Sequence, residues 1–187
     1  MTELTRERSH RRQAGPSFLA VCACAVLLGG CATPTTHEGM VPTSLEVPKG
    51  HPQTVSVEVK GGKDTDPIGK PQISDAAFAQ ALVESITKSQ VFSRVVQGPG
   101  GDYMLSVFLV SMEQPSFGLA LTVRMEAGWT LKRTDTGTAV WQESIRSEYT
   151  APGSEAFAAV VRLRLATEGA ARNNISQGLA KISRLAL

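Results

Sequence analysis

The positions of cysteine and histidine restrict most strongly how this chain can fold. All three cysteines, Cys22, Cys24 and Cys31, lie in the first 31 of 187 residues, and no histidine follows His51. From Pro52 onward the chain has no thiol for a disulfide, and it lacks the residue types on which most zinc sites and Ser–His nucleophiles depend. We therefore expect a domain that is held together by its apolar core, without a metal ion or a catalytic residue set.

The first 30 residues have the layout of a secretion signal. Residues 1–17 carry four arginines against two glutamates, and an unbroken apolar run extends from Phe18 to Leu28. As a helix this run would be about 16 Å long, short of the ~20 residues that cross a bilayer. A basic flank, a short apolar core and small residues after it are typical of a cleavable signal peptide.

The end of this segment, Leu28-Gly29-Gly30-Cys31, resembles the bacterial lipobox. The resemblance implies cleavage between Gly30 and Cys31 and acylation of Cys31 with palmitate-type chains, the one covalent lipid group that we expect. Several acyl chains make membrane anchoring effectively permanent. Ala32, which is not the aspartate that favours retention in the inner membrane, indicates the outer membrane with the domain facing the periplasm. An ordinary signal peptide with a chance cysteine is the alternative.

The charge balance argues against nucleic acid as a partner. Four of the 19 Lys and Arg residues and two of the 17 Asp and Glu residues lie in residues 1–30, which leaves 15 of each in the remainder. The net charge of +2 thus comes from the signal. A neutral domain without a basic patch does not fit nucleic-acid binding, so we expect a membrane partner through the lipid and a protein partner in the envelope.

The mature chain divides into a tether and one domain. Residues 31–51 begin at the lipidated cysteine and contain three prolines and four threonines after it, without helical or alternating periodicity. This composition predicts a flexible tether. Residues 52–187 are long enough for a single domain.

Hydrophobic periodicity in the domain predicts an α+β fold. It is a mainly antiparallel sheet of four to five strands with two helices packed on it, one after the first strand and one long and C-terminal. Residues 102–113 are apolar on both faces, which predicts a central strand covered on both sides, with the tether or a partner on its second face. Ser74 is expected to begin the first helix, with Phe78, Leu82 and Ile86 on one face. Ser154 is expected to begin the second, with a shared apolar face of Phe157, Val161, Ile175, Leu179 and Ile182. The strands are predicted at 53–60, 91–96, 102–113, 118–133 and 138–149.

Two short motifs resemble sites but have simpler explanations. Asp135-Thr136-Gly137 matches the Asp-Thr-Gly of aspartic proteases, which need two such aspartates. A hairpin turn, with Gly137 supplying positive φ, explains this single copy. Asp64 and Asp66 are reminiscent of calcium ligands, but Pro67 interrupts the spacing of an EF-hand loop. A solvated loop is the expected structure there.

A charged pair interrupts the apolar face of the C-terminal helix. Arg164 and Glu168 are four residues apart and lie near the middle of that face, so their burial requires partners. We interpret them as a structural ion pair, although perturbed charges also mark functional sites. An anion site is the alternative for the arginines of this region, which are Arg162, Arg164, Arg172 and Arg184.

The stretch from Pro71 to Leu185 resembles a group of small proteobacterial outer-membrane lipoproteins of unassigned function. The likeness covers "ISDAAFAQALVESI", "DYMLSVFLVSMEQPSFGLALTVRMEAGWTL" and, most specifically, "RLRLATEGAARNNI". It assigns no role to any residue. The order of elements is also similar to that of the lipopolysaccharide-assembly lipoprotein, which is a likeness of architecture alone.

These observations favour a membrane-anchored, non-enzymatic accessory module that binds another envelope protein. The alternative is a binder or shuttle for lipid or another apolar molecule, which would require a deep apolar cavity. A hydrolase that uses Asp102, Glu143 or Glu168 is a third hypothesis, and it would require two of these carboxylates to converge in a cleft.

Overall fold

A computed structural model describes residues 32–45, 47–48 and 50–187, and the predictions for the signal peptide, Gly30 and Cys31 lie outside these residues. The described part of the chain forms one five-stranded sheet with three helices, an α+β fold. The helices are α1 (His37–Met40), α2 (Asp75–Ser89) and α3 (Ala159–Ile182). The strands are β1 (His51–Lys60), β2 (Phe92–Val95), β3 (Tyr103–Glu113), β4 (Leu121–Arg133) and β5 (Ala139–Ala151).

The sheet is mixed, and the prediction of a mainly antiparallel sheet is wrong for its first three strands. The strand order is β2-β1-β3-β4-β5, with β1 parallel to both β2 and β3. The chain passes from one side of β1 to the other, because Val96 N donates to Val55 O while Tyr103 pairs with Val55 from the opposite side. A Cβ atom at Gly101 would lie 2.7 Å from Ser56 N, so this crossing needs glycine. The antiparallel meander of β3, β4 and β5 is as predicted.

Helix α2 forms as its sequence predicts. Ser74 caps it, with its side chain accepting a hydrogen bond from Ala77 N, and Asp75 lies in the first turn, where a carboxylate favours the helix dipole. Phe78, Leu82 and Ile86 are fully buried on the predicted face. The helix ends at Ser89, and the C-cap residue Gln90 adopts the left-handed conformation with φ of 55°.

Helix α3 begins four residues later than predicted, counted from the cap expected at Ser154. Ser154 lies in a turn, and the N-cap is Ala158, which has no side-chain hydrogen bond. The guanidinium of Arg162 instead donates to the carbonyl oxygens of Ala156 and Phe157, both at 2.8 Å, and fixes the preceding turn. Phe157 therefore lies outside the helix with its side chain in solvent, and its assignment to the apolar face is wrong. Ile175, Leu179 and Ile182 are fully buried.

Two aromatic rings hold α3 close to the sheet. The Trp129 ring lies over Gly178 and the Tyr149 ring over Gly169, where a Cβ atom would approach ring carbons within 2.6 Å and 2.3 Å. The indole Nε1 of Trp129 donates to Asn174 Oδ1 at 2.9 Å, which satisfies the polar atom of a fully buried ring. Gly169 thus permits a close approach and does not interrupt the helix.

Candidate functional site

The residues that follow the predicted lipidation point are part of the fold. We call residues 32–41 the anchor-proximal segment. Thr36 caps α1, and Met40 and Val41 are buried in the main core. The prediction of a free tether is wrong for this segment, and His51 is the first residue of β1, with its Nε2 2.9 Å from Ile182 O. Proline and threonine content indicates the absence of long helices and does not exclude docking of an irregular segment.

Glu168 is the central contact of the anchor-proximal segment. Its side chain is almost completely buried, and one carboxylate oxygen accepts hydrogen bonds from Thr36 N at 2.9 Å and Thr36 Oγ1 at 3.3 Å. The same oxygen accepts a hydrogen bond from Arg164 Nη1 at 3.1 Å. A buried carboxylate is tolerated only with such partners. The structure therefore brings the predicted pair together as an ion pair and adds a partner 132 residues earlier in the chain.

Arg172 holds the other end of α1. Its Nε donates to Gly39 O at 3.0 Å, and Nη2 donates to the same carbonyl. Gly39 packs directly on the Glu168 carboxylate, because a Cβ atom there would lie 2.3 Å from Oε2. Arg164, Glu168 and Arg172 follow one another at intervals of four residues and therefore lie on one side of α3. We call these three residues the seat of the anchor-proximal segment. They all lie in the stretch RLRLATEGAARNNI, the most specific part of the sequence resemblance.

The arginines noted in the sequence do not form one anion site. Arg164 and Arg172 contact the anchor-proximal segment and α3, as above. Arg162 is buried, and its terminal nitrogens donate to carbonyl oxygens, including Gly118 O at 3.4 Å, while its Nε has no hydrogen-bond partner among the described residues. Arg184 is exposed beyond the end of α3. The alternative of an anion site therefore has no support in this geometry.

The carboxylates considered for hydrolysis have separate partners. Glu143 accepts Lys181 Nζ at 2.6 Å, Asp102 accepts two hydrogen bonds from Thr54, and Glu168 binds the anchor-proximal segment. No pair of them shares a hydrogen-bond partner within the described ranges. No cluster of three or more metal-ligating side chains occurs there either. Two carboxylates converging in a cleft, which the hydrolase hypothesis requires, are not seen in this part of the chain.

The Asp-Thr-Gly motif is a hairpin turn, as expected. Gly137 has φ of 69°, and Gly137 N donates to Arg133 O at 2.9 Å. Asp135 forms an exposed ion pair with Arg133 at 2.6 Å. The hydrogen bond from this guanidinium lowers the pKa of Asp135 to about 2. The role of Asp135 is thus to pair with Arg133 within the turn.

Asp102 joins the segment before β3 to Thr54 of β1, at the point where the chain crosses β1. Its Oδ2 accepts Thr54 N at 2.7 Å and Thr54 Oγ1 at 2.8 Å, and these hydrogen bonds lower the pKa of the carboxyl below its ordinary value of 3.8. A carboxyl whose pKa is lower in the folded state stabilises the fold above the unfolded-state pKa, and this stabilisation is lost as the pH falls through the folded-state pKa.

We therefore expect Asp102→Asn to lower the unfolding temperature at neutral pH. The difference from the wild type should shrink in acid, as the pH falls through the folded-state pKa and the wild-type carboxyl is protonated. Thermal unfolding followed by circular dichroism over a pH series measures this difference, with Asp64→Asn in the exposed loop between β1 and α2 as the control. A difference that stays constant down to strong acid would contradict the assigned role of the carboxylate.

The face of the sheet opposite α2 and α3 is open. We call it the open face. Phe108 and Val110 of β3 lie on it, and 55% and 53% of their surfaces are exposed. The prediction that the tether covers this face of β3 is therefore wrong for the described part of the chain, because the anchor-proximal segment packs on the helical side. Coverage by a partner stays a prediction. Val110 occupies a β-bulge between Leu109 and Ser111, which places one additional side chain on this face.

Charged pairs border the apolar centre of the open face. Arg124 bonds Glu148 at 3.0 Å, and Arg146 bonds Glu126 at 3.0 Å, both across β4 and β5. These residues also line an open hollow of about 660 Å³. Most of the side chains that line this hollow are charged, so it does not suit an apolar ligand.

The space between the sheet and the helices is filled by side chains. The largest of those that are almost or completely buried are Trp129, Phe78, Phe92, Met40 and Leu82. A lipid shuttle would need a deep apolar cavity at this interface, which the described side chains instead fill. The geometry thus does not favour that alternative.

None of the described helices could span a membrane. The longest, α3, has 24 residues but carries Arg162, Arg164, Glu168, Arg172 and Lys181.

Comparison with known proteins gives a fold and no family. No protein-family model and no curated protein matches the sequence. Protein XCC0632 from Xanthomonas campestris, of family DUF330, superposes with a TM-score of 0.57 at 14% identity, over 79% of this chain and 91% of that one. A putative lipoprotein from Caulobacter crescentus gives 0.45 at 12% identity, over 68% and 87%. Uncharacterized lipoprotein B from Nitrosomonas europaea gives 0.46 at 13%, over 74% and 86%. At 14% identity, the Xanthomonas match shows a shared fold alone.

Proposed function

We propose that this protein is a lipoprotein of the bacterial envelope, anchored to the outer membrane through acyl chains on Cys31, with its domain in the periplasm. We further propose that the domain is a non-enzymatic accessory module that binds another envelope protein. The open face, with its exposed apolar centre, is the observation that carries this proposal. The resemblance to small proteobacterial lipoproteins and the lipobox support the anchoring.

The open face has the composition of a protein-binding surface. Phe108 is an aromatic side chain at the centre of the sheet, opposite Gly128 of β4, where no side chain competes for contact. Aromatic anchors surrounded by polar groups are typical of binding hot spots. The ion pairs of Arg124 and Arg146 form such a polar border. Exposed apolar side chains that are adjacent in a sheet indicate an interaction site more strongly than scattered ones do.

The dispersal of the carboxylates supports a binding role over catalysis. Asp102, Glu143 and Glu168 each stabilise a different junction of the fold through hydrogen bonds to neighbouring segments. General acid and base catalysis needs two such groups around one substrate position.

Photo-crosslinking in living cells tests this proposal. A full chain with a photoreactive amino acid at Val110 is expected to form a discrete adduct with one envelope protein, which mass spectrometry identifies. The additional substitution Phe108→Ser should lower the adduct yield roughly tenfold, because an aromatic anchor is lost. The same photoreactive residue at Lys88, on the helical side, is the matched control and should give no such adduct.

The anchor is read in the same cells by metabolic labelling with an alkyne fatty acid. Cys31→Ala should abolish the label, release the protein from the membrane fraction and reduce the adduct. Equal adduct yields at Val110 and Lys88, or no adduct at either, would reject the binding role of the open face. Labelling that persists in Cys31→Ala would reject the anchor.

A further inference from the structure

Four large apolar side chains are almost completely exposed at loop tips. Ile68 is 93% exposed, Phe117 90%, Leu119 86% and Phe157 103%. We call these four residues the apolar loop cluster. Apolar side chains this exposed contribute nothing to the core, and four of them together indicate an interaction.

The cluster lies at one end of the domain. Its members belong to the loops 61–74, 114–120 and 152–158, which follow β1, β3 and β5. β1 is parallel to β3, and β3 and β5 are both antiparallel to β4, so the three strands end at the same edge of the sheet. The direction of the strands alone therefore brings the three loops together.

Two polar side chains beneath the loops hold them in place. Gln114 Nε2 donates to Pro71 O at 2.6 Å and Thr167 Oγ1 at 3.0 Å, which joins the first two loops to α3. Arg162 donates to Phe157 O and Gly118 O, which joins the second loop to the third. The backbones are thus fixed from the inside while the apolar side chains point outward. An ordered apolar surface with no role in the core is suited to contact with a partner.

The chain departs toward Cys31 at this same end. Ala32 N donates to Pro67 O at 2.8 Å, and Thr35 Oγ1 donates to Gln72 O at 2.8 Å. Ala32 is therefore held beside the residue that precedes Ile68. Since one residue spans at most about 3.6 Å, acyl chains on Cys31 would enter the membrane beside the loop that carries Ile68.

We propose that the apolar loop cluster inserts into the lipid surface that carries the anchor and seats the domain directly on the membrane. The inference rests on the anchoring at Cys31 proposed above. The exposed charged residues around the cluster include one lysine, Lys63, and three acidic residues, Asp64, Asp66 and Glu155. This balance does not attract anionic headgroups, so we assign the contact to insertion of the apolar side chains into the membrane interface. The lipid and the loops together fix one orientation, in which the opposite end of the sheet faces away from the membrane.

Fluorescence quenching in vesicles tests the proposal. The full chain, with Cys22→Ala and Cys24→Ala, is reconstituted from detergent into vesicles of uncharged phosphatidylcholine containing a lipid with a spin label on its acyl chain. A single cysteine at Ala120, beside Leu119, carries an environment-sensitive fluorophore. We expect a blue-shifted emission that the spin-labelled lipid quenches. The matched control is the same fluorophore at Lys88 on α2, which should be neither shifted nor quenched.

A second variant tests the side chains themselves. Changing Ile68, Phe117, Leu119 and Phe157 to serine should reduce quenching at Ala120 to the level seen at Lys88, and it should leave the unfolding temperature unchanged because these side chains are exposed. Undiminished quenching in this variant, or no quenching in the parent chain, would overturn the proposal. A blue shift without quenching by lipid would assign the cluster to a protein contact and also overturn it. Intact mass reports acylation of Cys31 separately, so failure of the anchor and failure of the cluster are distinguishable.

Discussion

Replacing Gly178 with alanine is expected to destabilise the fold by about 3 kcal/mol, through overpacking against a rigid ring. The added methyl group would lie 2.6 to 2.7 Å from three carbons of the Trp129 ring. That ring is completely buried and is held by Asn174 through its indole nitrogen, so it cannot move aside. The loss should exceed the roughly 1 kcal/mol by which alanine favours a helix over glycine. Urea unfolding monitored by tryptophan fluorescence measures the change.

Two other glycines provide controls for this prediction. Gly169→Ala meets the Tyr149 ring, which is only half-buried on the edge strand and can rotate toward solvent, so its cost should be about 1 kcal/mol. Gly128→Ala lies on the open face, where the nearest atoms are 4.0 Å away, and should be neutral or stabilising by up to about 1 kcal/mol. Equal losses at all three positions would mean that steric contact with the rings is not the cause.

Arg164→Met is expected to lower the free energy of unfolding by about 3 kcal/mol and to release the anchor-proximal segment from α3. The substitution keeps much of the side-chain volume but removes the cation that, within the described residues, alone forms an ion pair with the carboxylate of Glu168, which is 3% exposed. Removing one partner of a buried ion pair leaves an uncompensated charge, which is more costly than the loss of the contact itself. We expect faster hydrogen exchange at the amide of Thr36, which donates to Glu168, together with a lower free energy of unfolding.

The double variant separates charge from shape. Adding Glu168→Gln to Arg164→Met removes the buried charge, while the amide oxygen can still accept a hydrogen bond from Thr36 N. The double variant should therefore be more stable than Arg164→Met alone, with a coupling of about 1 kcal/mol or more in the mutant cycle. Arg124→Met, in an exposed ion pair with Glu148, is the control and should change stability by less than about 1 kcal/mol. Strictly additive effects of Arg164 and Glu168 would contradict the assigned seat.

The seat of residues 32–41 and the three loops would give the proposed lipid anchor a structural role. A flexible tether would let the domain take any orientation relative to the membrane. A segment that is docked on the domain restricts that orientation. In the orientation that we propose, the end of the sheet with the three loops contacts lipid, and the plane of the open face runs along the membrane normal. That arrangement leaves Phe108 and Val110 accessible to a partner beside the protein.

Local sequence pattern determined the parts of this protein that depend on neighbours along the chain. The buried face of α2, its Ser74 cap, the meander of β3 to β5 and the turn at Gly137 all follow from periodicity and turn chemistry within a few residues. The pairing of Arg164 with Glu168 is local in the same sense, because one helical turn joins them.

Tertiary structure decided what depends on distant residues. The parallel pairing of β1 with β3 requires the chain to cross β1 at Gly101, which no local pattern encodes. Docking of residues 32–41 depends on Glu168 and Arg172, more than 130 residues away, so an irregular proline-containing stretch resembled a tether. The start of α3 and the exposure of Phe157 depend on carbonyl groups that Arg162 binds from within the helix. Sequence patterns report which side chains could be buried, but only the fold supplies the surfaces and partners that bury them.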